Sequence, residues 1–173
     1  MFKEDKMKNI VLIGMPGAGK STIGVLLAKT MLMSFVDTDL LIQSAYSKGL
    51  ADIIKEKGTE KFLEIENDVI CESDFENSVV ATGGSAVFGE KAMEKLKKDA
   101  LTVYLKVDVS ELEKRINNIH TRGIAMKEGA TLSEIFSDRE ELYKKYADFT
   151  LDSTYLTAEE CVDEIVRRVK NYG

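Results

Sequence analysis

The sequence predicts an α/β domain of three layers, a parallel sheet covered by helices on both faces. Three observations carry this. Short apolar runs alternate with helix-period segments along the whole chain. The runs are apolar at successive positions rather than at every second one. No repeat, low-complexity tract or proline-rich linker interrupts them, Pro16 being the only proline. Strands apolar on both faces belong to parallel sheets buried between helices, and the intervening helices provide the crossovers that parallel strands require. A length of 173 residues suits one domain, so residues 1–173 read as a single unit.

Each element follows from its local pattern. Residues 9–13 (NIVLI) are a buried strand that runs into a glycine-rich turn and a helix over 20–33. A short strand at 35–36 ends at Asp37, and helical patterns cover 39–46, 50–57 and 59–73. Residues 78–81 (SVVA) form another strand, stopped by Thr82-Gly83-Gly84. A helix over 90–98, a strand over 101–105 (LTVYL) and a helix over 110–117 follow. A charged helix over 131–146, a last strand over 149–151 and a closing helix over 158–170 complete the chain, with Thr157 placed to cap that last helix.

Composition narrows the function. With 44% apolar and 31% charged residues the chain has enough apolar material for a core, and no run approaches the roughly 18 apolar residues of a membrane span. The charged N-terminus leads to a short strand and not to a signal-peptide apolar region, so a cytoplasmic protein is expected, with no membrane partner. The net charge of −6, from 24 basic and 30 acidic residues, argues against a nucleic-acid partner. The five arginines are Arg115, Arg122, Arg139, Arg167 and Arg168, so any bidentate grip on a carboxylate or phosphate by arginine comes from the second half. Cys71 and Cys161 lie far apart without CxxC spacing and read as reduced thiols, which rules out a zinc site.

The chemistry concentrates in three segments. Gly14-Met-Pro-Gly-Ala-Gly-Lys20-Ser21 matches GxxxxGK[ST] between a predicted strand and a predicted helix. Such a loop turns successive N–H groups toward phosphate oxygens, and the helix N-terminus adds its positive dipole end. The backbone of Gly17, Ala18, Gly19, Lys20, Ser21 and Thr22 is the candidate ATP cradle, with the Lys20 ammonium on the β- and γ-phosphates and the Ser21 hydroxyl on Mg2+. Phe35-Val-Asp37-Thr-Asp39 places two carboxylates at the C-terminal end of a strand, the edge where parallel α/β sheets bind ligands. Asp37 suits Mg2+, and Asp39 suits the proton of an attacking hydroxyl, the competing reading being that Asp39 only caps the next helix. Val79-Val-Ala-Thr-Gly83-Gly84-Ser85 repeats the strand-then-glycine arrangement, which either admits a small ligand close to backbone N–H groups or is a tight turn.

With these segments in place, the chain resembles the shikimate kinases, within the larger group of P-loop small-molecule kinases. GMPGAGKST (14–22), FVDTD (35–39), LADII with Gly58 and the Phe62/Glu66 helix, VVATGG (79–84), VYL (103–105), a lid of roughly 117–130 with Arg122, and Arg139-x-x-Leu142-Tyr143 carry the likeness. A monomer is the default expectation, and the resemblance implies a five-stranded sheet of order 2-3-1-4-5. It also implies ATP- and Mg2+-dependent conversion of shikimate to shikimate 3-phosphate, in aromatic amino acid biosynthesis. It makes Lys20, Asp39 and Arg122 catalytic, Asp39, Gly83, Gly84 and Arg139 substrate-binding, and Ser21 and Asp37 the metal side. Arg122 otherwise reads as a solvated arginine, and Arg139 as half of a helix-face ion pair. His120, beside the lid, reads as exposed and not catalytic.

Three departures bear on the acceptor. The family's arginine after the helix phenylalanine is Leu63 here, its third glycine is Ser85, and its lid pattern after Arg122 reads Gly-Ile-Ala-Met. Losing one charge-assisted hydrogen bond weakens carboxylate binding by about 10- to 100-fold. A kinase for another polyol or hydroxy acid is therefore one alternative, and a nucleotide-binding module without catalysis the other. The presence of Asp39, Lys20 and Arg122 together opposes the second, because binding alone needs no base.

Overall fold

The sheet is organised around its most apolar strand. In the computed structural model, which describes residues 9–117 and 122–172, all five residues of β1 (Asn9–Ile13) are buried. β1 lies at the centre of a parallel sheet of order β2-β3-β1-β4-β5, with β2 (Ser34–Asp37) and β5 (Phe149–Asp152) at the edges. β3 (Ser78–Ala81) and β4 (Ala100–Lys106) flank β1, so the strand order reverses at β1 and a crevice opens beyond its C-terminal end. The edge strands are less buried than the centre, each having a neighbouring strand on one side alone. This is the predicted three-layer fold.

Eight α-helices connect the strands among the described residues. α1 (Lys20–Met31) follows β1 and packs on α8 (Ala158–Asn171). α2 (Thr38–Tyr46), α3 (Leu50–Lys57) and α4 (Thr59–Glu72) form a helical arm between β2 and β3. α5 (Glu90–Lys97) packs on α4, α6 (Val109–Arg115) follows β4, and α7 (Leu132–Tyr146) leads into β5. The main core spans the sheet, and a smaller one (Ile42, Ile53, Phe62, Ile65, Ala125) binds the arm together.

The boundaries differ from expectation where side chains or backbone stop an element. α1 ends two residues early, because Leu32 turns left-handed (φ 55°) and the Met33 N–H returns to the Ala28 carbonyl. Thr131 lies just outside α7 as its cap, in a capping box with Glu134, and Thr157 does the same for α8 with Glu160. A 3₁₀ turn, Ala86–Phe88, lies between β3 and α5 where no helix was expected. Cys71 and Cys161 are free thiols. His120 and part of the expected lid fall outside the described residues, which leaves the lid reading to Arg122 and the residues after it.

Candidate active site

The loop after β1 curls because three of its glycines hold positive φ, Gly14 at 149°, Gly17 at 82° and Gly19 at 90°. Gly14 also has no room for a side chain, since a Cβ there would sit 2.6 Å from the Leu105 carbonyl oxygen. Gly19 precedes α1 without a side-chain cap, so the first N–H groups of that helix face the crevice for a ligand to use. Lys20 is buried, and its ammonium donates to the carbonyls of Gly14 (2.7 Å) and Met15 (2.8 Å). Burial, opposed by Asp39, lowers its pKa to about 8.

Asp37 closes the phosphate side. Its Oδ1 accepts the Asp39 N–H (2.9 Å) and so caps α2, while its Oδ2 accepts the Ser21 hydroxyl (2.7 Å). The helix cap is thus Asp37, and the competing reading of Asp39 as a mere cap is removed. Ser21 Oγ and Asp37 Oδ2 form a small set of hard oxygen donors. No group of three or more acidic, cysteine or histidine side chains is gathered for a metal among the described residues. The two oxygens fit a Mg2+ ion, which takes one or two protein oxygens and fills the rest of its shell with water and phosphate.

The acceptor side is assembled from distant segments. Asp39, freed from capping, lies in the first turn of α2 and lines a cleft of about 160 Å3 with Lys20, Ser21, Gly83, Arg122 and Arg139. Burial first, and Asp37 second, raise its pKa to about 6, against Lys20 and Arg122. A carboxyl with that value is still ionised at neutral pH and more basic than an ordinary one. Gly83 spends its N–H on the Thr38 hydroxyl (3.1 Å), so its contribution to the cleft is the missing side chain and not the expected N–H. A Cβ at Gly83 would meet Asp39 Oδ1 and Glu66 Oε2, each at 2.6 Å. The next residue, Gly84, makes way for Arg139: a Cβ there would sit 2.9 Å from Nη1 of that arginine. Its carbonyl accepts the Tyr143 hydroxyl at 2.6 Å.

The arginines part company in burial. Arg122 is exposed at the mouth of the cleft and bears electrostatically on Lys20 and Asp39. Arg139, on α7, is 2% exposed; its Nη2 donates to the Ala125 carbonyl (2.5 Å) and the guanidinium stacks over Phe88. It is no helix-face ion pair. Leu63 is half-buried and faces a wider neighbouring cavity of about 1050 Å3 that shares Arg139 as a wall. Lys61 is exposed and paired with Glu64, so it does not stand in for the absent arginine.

One buried residue escaped the list of candidates. Glu66 on α4 is 2% exposed, with Oε1 accepting the Ser85 hydroxyl at 2.6 Å. Burial raises its pKa to about 7, against the Ser85 hydrogen bond. Its sequence signal was a glutamate on the apolar face that Phe62, Ile65 and Ile70 define. Ser85 itself has φ −95°, a conformation that any residue adopts, so a side chain fits where the family glycine would be.

Comparison with known proteins identifies the family. The family model for shikimate kinase matches residues 16–170. A shikimate kinase of Parabacteroides distasonis is 37% identical over 166 residues, covering 92% of this chain and 95% of its own. One of Clostridium botulinum is 39% identical over 171 residues, covering 96% and 98%. The solved structure of Acinetobacter baumannii shikimate kinase in complex with shikimate superposes with a TM-score of 0.87 at 26% identity, covering 97% of this chain and 96% of that one.

Proposed function

The chain belongs to the shikimate kinase family and carries out ATP-dependent phosphorylation of shikimate, and we propose that the residues of the cleft divide the reaction between them as follows. The backbone of Gly17, Ala18, Gly19, Lys20, Ser21 and Thr22 receives the ATP phosphates at the open end of α1. The Lys20 ammonium exchanges its two carbonyl partners for phosphate oxygens. Ser21 and Asp37 hold Mg2+, which neutralises phosphate charge when bound. Arg122, at the mouth, adds positive charge over the transferring group.

Asp39 accepts the proton of the attacking hydroxyl. The hydroxyl oxygen forms a bond to the γ-phosphorus, the bond from that phosphorus to its bridging oxygen breaks, and ADP leaves with the electron pair. The product is shikimate 3-phosphate. Gly84 offers its backbone N–H, and Arg139 pairs with the acceptor carboxylate. Because Leu63 supplies no second cation, Arg139 carries that contact alone.

The observation that carries this reading is that Asp39 and Arg139, a base and a carboxylate-binding group, line the same small cleft as the phosphate loop. The reading includes a cytoplasmic monomer, supported by a site drawn from one chain and by two unpaired thiols. No described helix is long and apolar enough to cross a membrane. The test is ADP release from Mg-ATP with and without millimolar shikimate, with Asp39→Asn as control. Shikimate-dependent release that disappears in the variant is the expected result. ATP binding without such release would overturn the assignment of acceptor and base.

A further inference from the structure

Phe88 is a large apolar side chain left 42% exposed in the turn between β3 and α5, and the backbone fixes its place there. Its N–H donates to the Ser85 carbonyl (3.1 Å), and the N–H of Gly89 donates to the Ala86 carbonyl (3.0 Å). Gly89 lies so close to α4 that a Cβ on it would sit 2.7 Å from Asn67 Oδ1. A short, closely packed turn thus holds the ring at the surface, where burial gains it little. What the ring meets there is a cation. Arg139 Cζ stands over it, 5.5 Å from the ring centroid, inside the roughly 6 Å at which a ring face attracts a guanidinium.

The orientation of Arg139 decides what it can grip. A guanidinium pairs with a carboxylate through two parallel hydrogen bonds only when the two planes are aligned. Its Nη2 donates to the Ala125 carbonyl (2.5 Å), and Ala125 is set in the small core of the helical arm. Its Nη1 is confined beside Gly84, 2.9 Å from the point that a side chain there would occupy. A plane restrained at two ends can still rotate about the line that joins them. A ring against its face removes that rotation, and Phe88 supplies one.

We propose that Phe88 is a positioning residue for the acceptor: its ring face holds the Arg139 guanidinium in the orientation that grips the acceptor carboxylate. The inference rests on the assignment of that carboxylate to Arg139 in the preceding section. The residue at 63 gives the ring its importance. Leu63, Phe88 and Arg139 line one cavity, and Leu63 offers neither charge nor hydrogen bond. A carboxylate shared between two arginines would tolerate some tilt in either. Held by Arg139 without help from position 63, it depends on the tilt of one guanidinium.

The experiment compares the parent with Phe88→Leu, Phe88→Tyr, Arg139→Ala and the double variant Phe88→Leu/Arg139→Ala by steady-state kinetics, circular dichroism confirming that each is folded. Leucine keeps an apolar side chain but has no ring face. Phe88→Leu is expected to raise shikimate KM about two- to fivefold, with kcat and Mg-ATP KM within about twofold of the parent's. Phe88→Tyr keeps the face and holds shikimate KM near the parent's. Once the arginine is gone there is nothing to position, so Phe88→Leu adds no further rise in the Arg139→Ala background. Equal rises in both backgrounds would overturn the proposal, as would a tyrosine variant as impaired as the leucine one or shikimate and Mg-ATP constants rising together. A rise in Arg139→Ala with none in Phe88→Leu removes the role of Phe88 and leaves the carboxylate assignment standing. An unchanged shikimate KM in Arg139→Ala removes that assignment, and this inference with it.

Discussion

At the phosphate end of the cleft one unbroken segment, residues 14–22, supplies the loop, the cation, the metal-side hydroxyl and the first turn of α1. At the acceptor end Asp39, Ser85 and Arg139 arrive from α2, the turn after β3 and α7. The first end works largely through backbone N–H groups held by left-handed glycines, and the second through side chains held by groups on other elements. A backbone-built site tolerates little variation, because the loop conformation itself makes the contacts. A site built from side chains can change partners one at a time. Two of the three departures from the family pattern, Leu63 and Ser85, lie on that side, while the phosphate loop is complete.

Asp39, the proposed base, stands between the two ends, and its removal has the largest expected effect. Asp39→Asn is expected to lower kcat about 10²- to 10⁴-fold while Mg-ATP binding, followed by calorimetry, stays within about twofold. Loss of nucleotide binding in that variant would mean that the two ends are not separable. Arg139→Ala comes next: shikimate KM rises about 10- to 100-fold with Mg-ATP KM nearly unchanged, and Arg139→Lys recovers only part because it lacks the planar fork.

A smaller effect, in the opposite direction, is expected from Leu63→Arg. A second cation beside the Arg139 wall should lower shikimate KM by roughly three- to tenfold in the same assay. No change would mean that the side chain at 63 does not reach the carboxylate. The last effect is on stability and leaves turnover aside. The Glu66 pKa is raised from 4.5 to about 7 on folding, so the stability that its protonated form contributes is complete below pH 4.5 and lost as pH rises through 7. Glu66→Gln abolishes this dependence. Its Tm should match the parent's below pH 4.5 and exceed it at pH 8, by about 3 kcal/mol of unfolding free energy. A uniform gain at every pH would show that the carboxylate is not the cause.

Much of the fold was legible because it is written locally. Apolar runs at 9–13, 78–81 and 101–105 have the pattern of doubly covered strands, and each proved to be one. Thr157 was recognisable as a cap because the partner that completes its box, Glu160, is three residues away. The 3₁₀ turn at Ala86–Phe88 had no comparable signal, since its geometry is set by Ser85, Gly89 and the neighbours that pack on them. In the site, GxxxxGK[ST] gave away the phosphate loop, but the order of the two aspartates in the DTD segment did not say which would cap α2. That depended on β2 delivering Asp37 beside Ser21.

Spacing along one chain is therefore enough for whatever is made by neighbours: the strand–helix alternation, the glycine curl, the lysine and hydroxyl that follow it, and the capping boxes. Only the packed molecule decides that Gly83 gives up its N–H to Thr38, that Arg139 is sealed against Ala125 and Phe88, and that Glu66 and Asp39 face one point. The reason is physical. Backbone geometry is set within a few residues by φ and ψ, whereas the direction of a buried polar side chain is set by the partners that satisfy it, and here those partners lie on other elements of the fold.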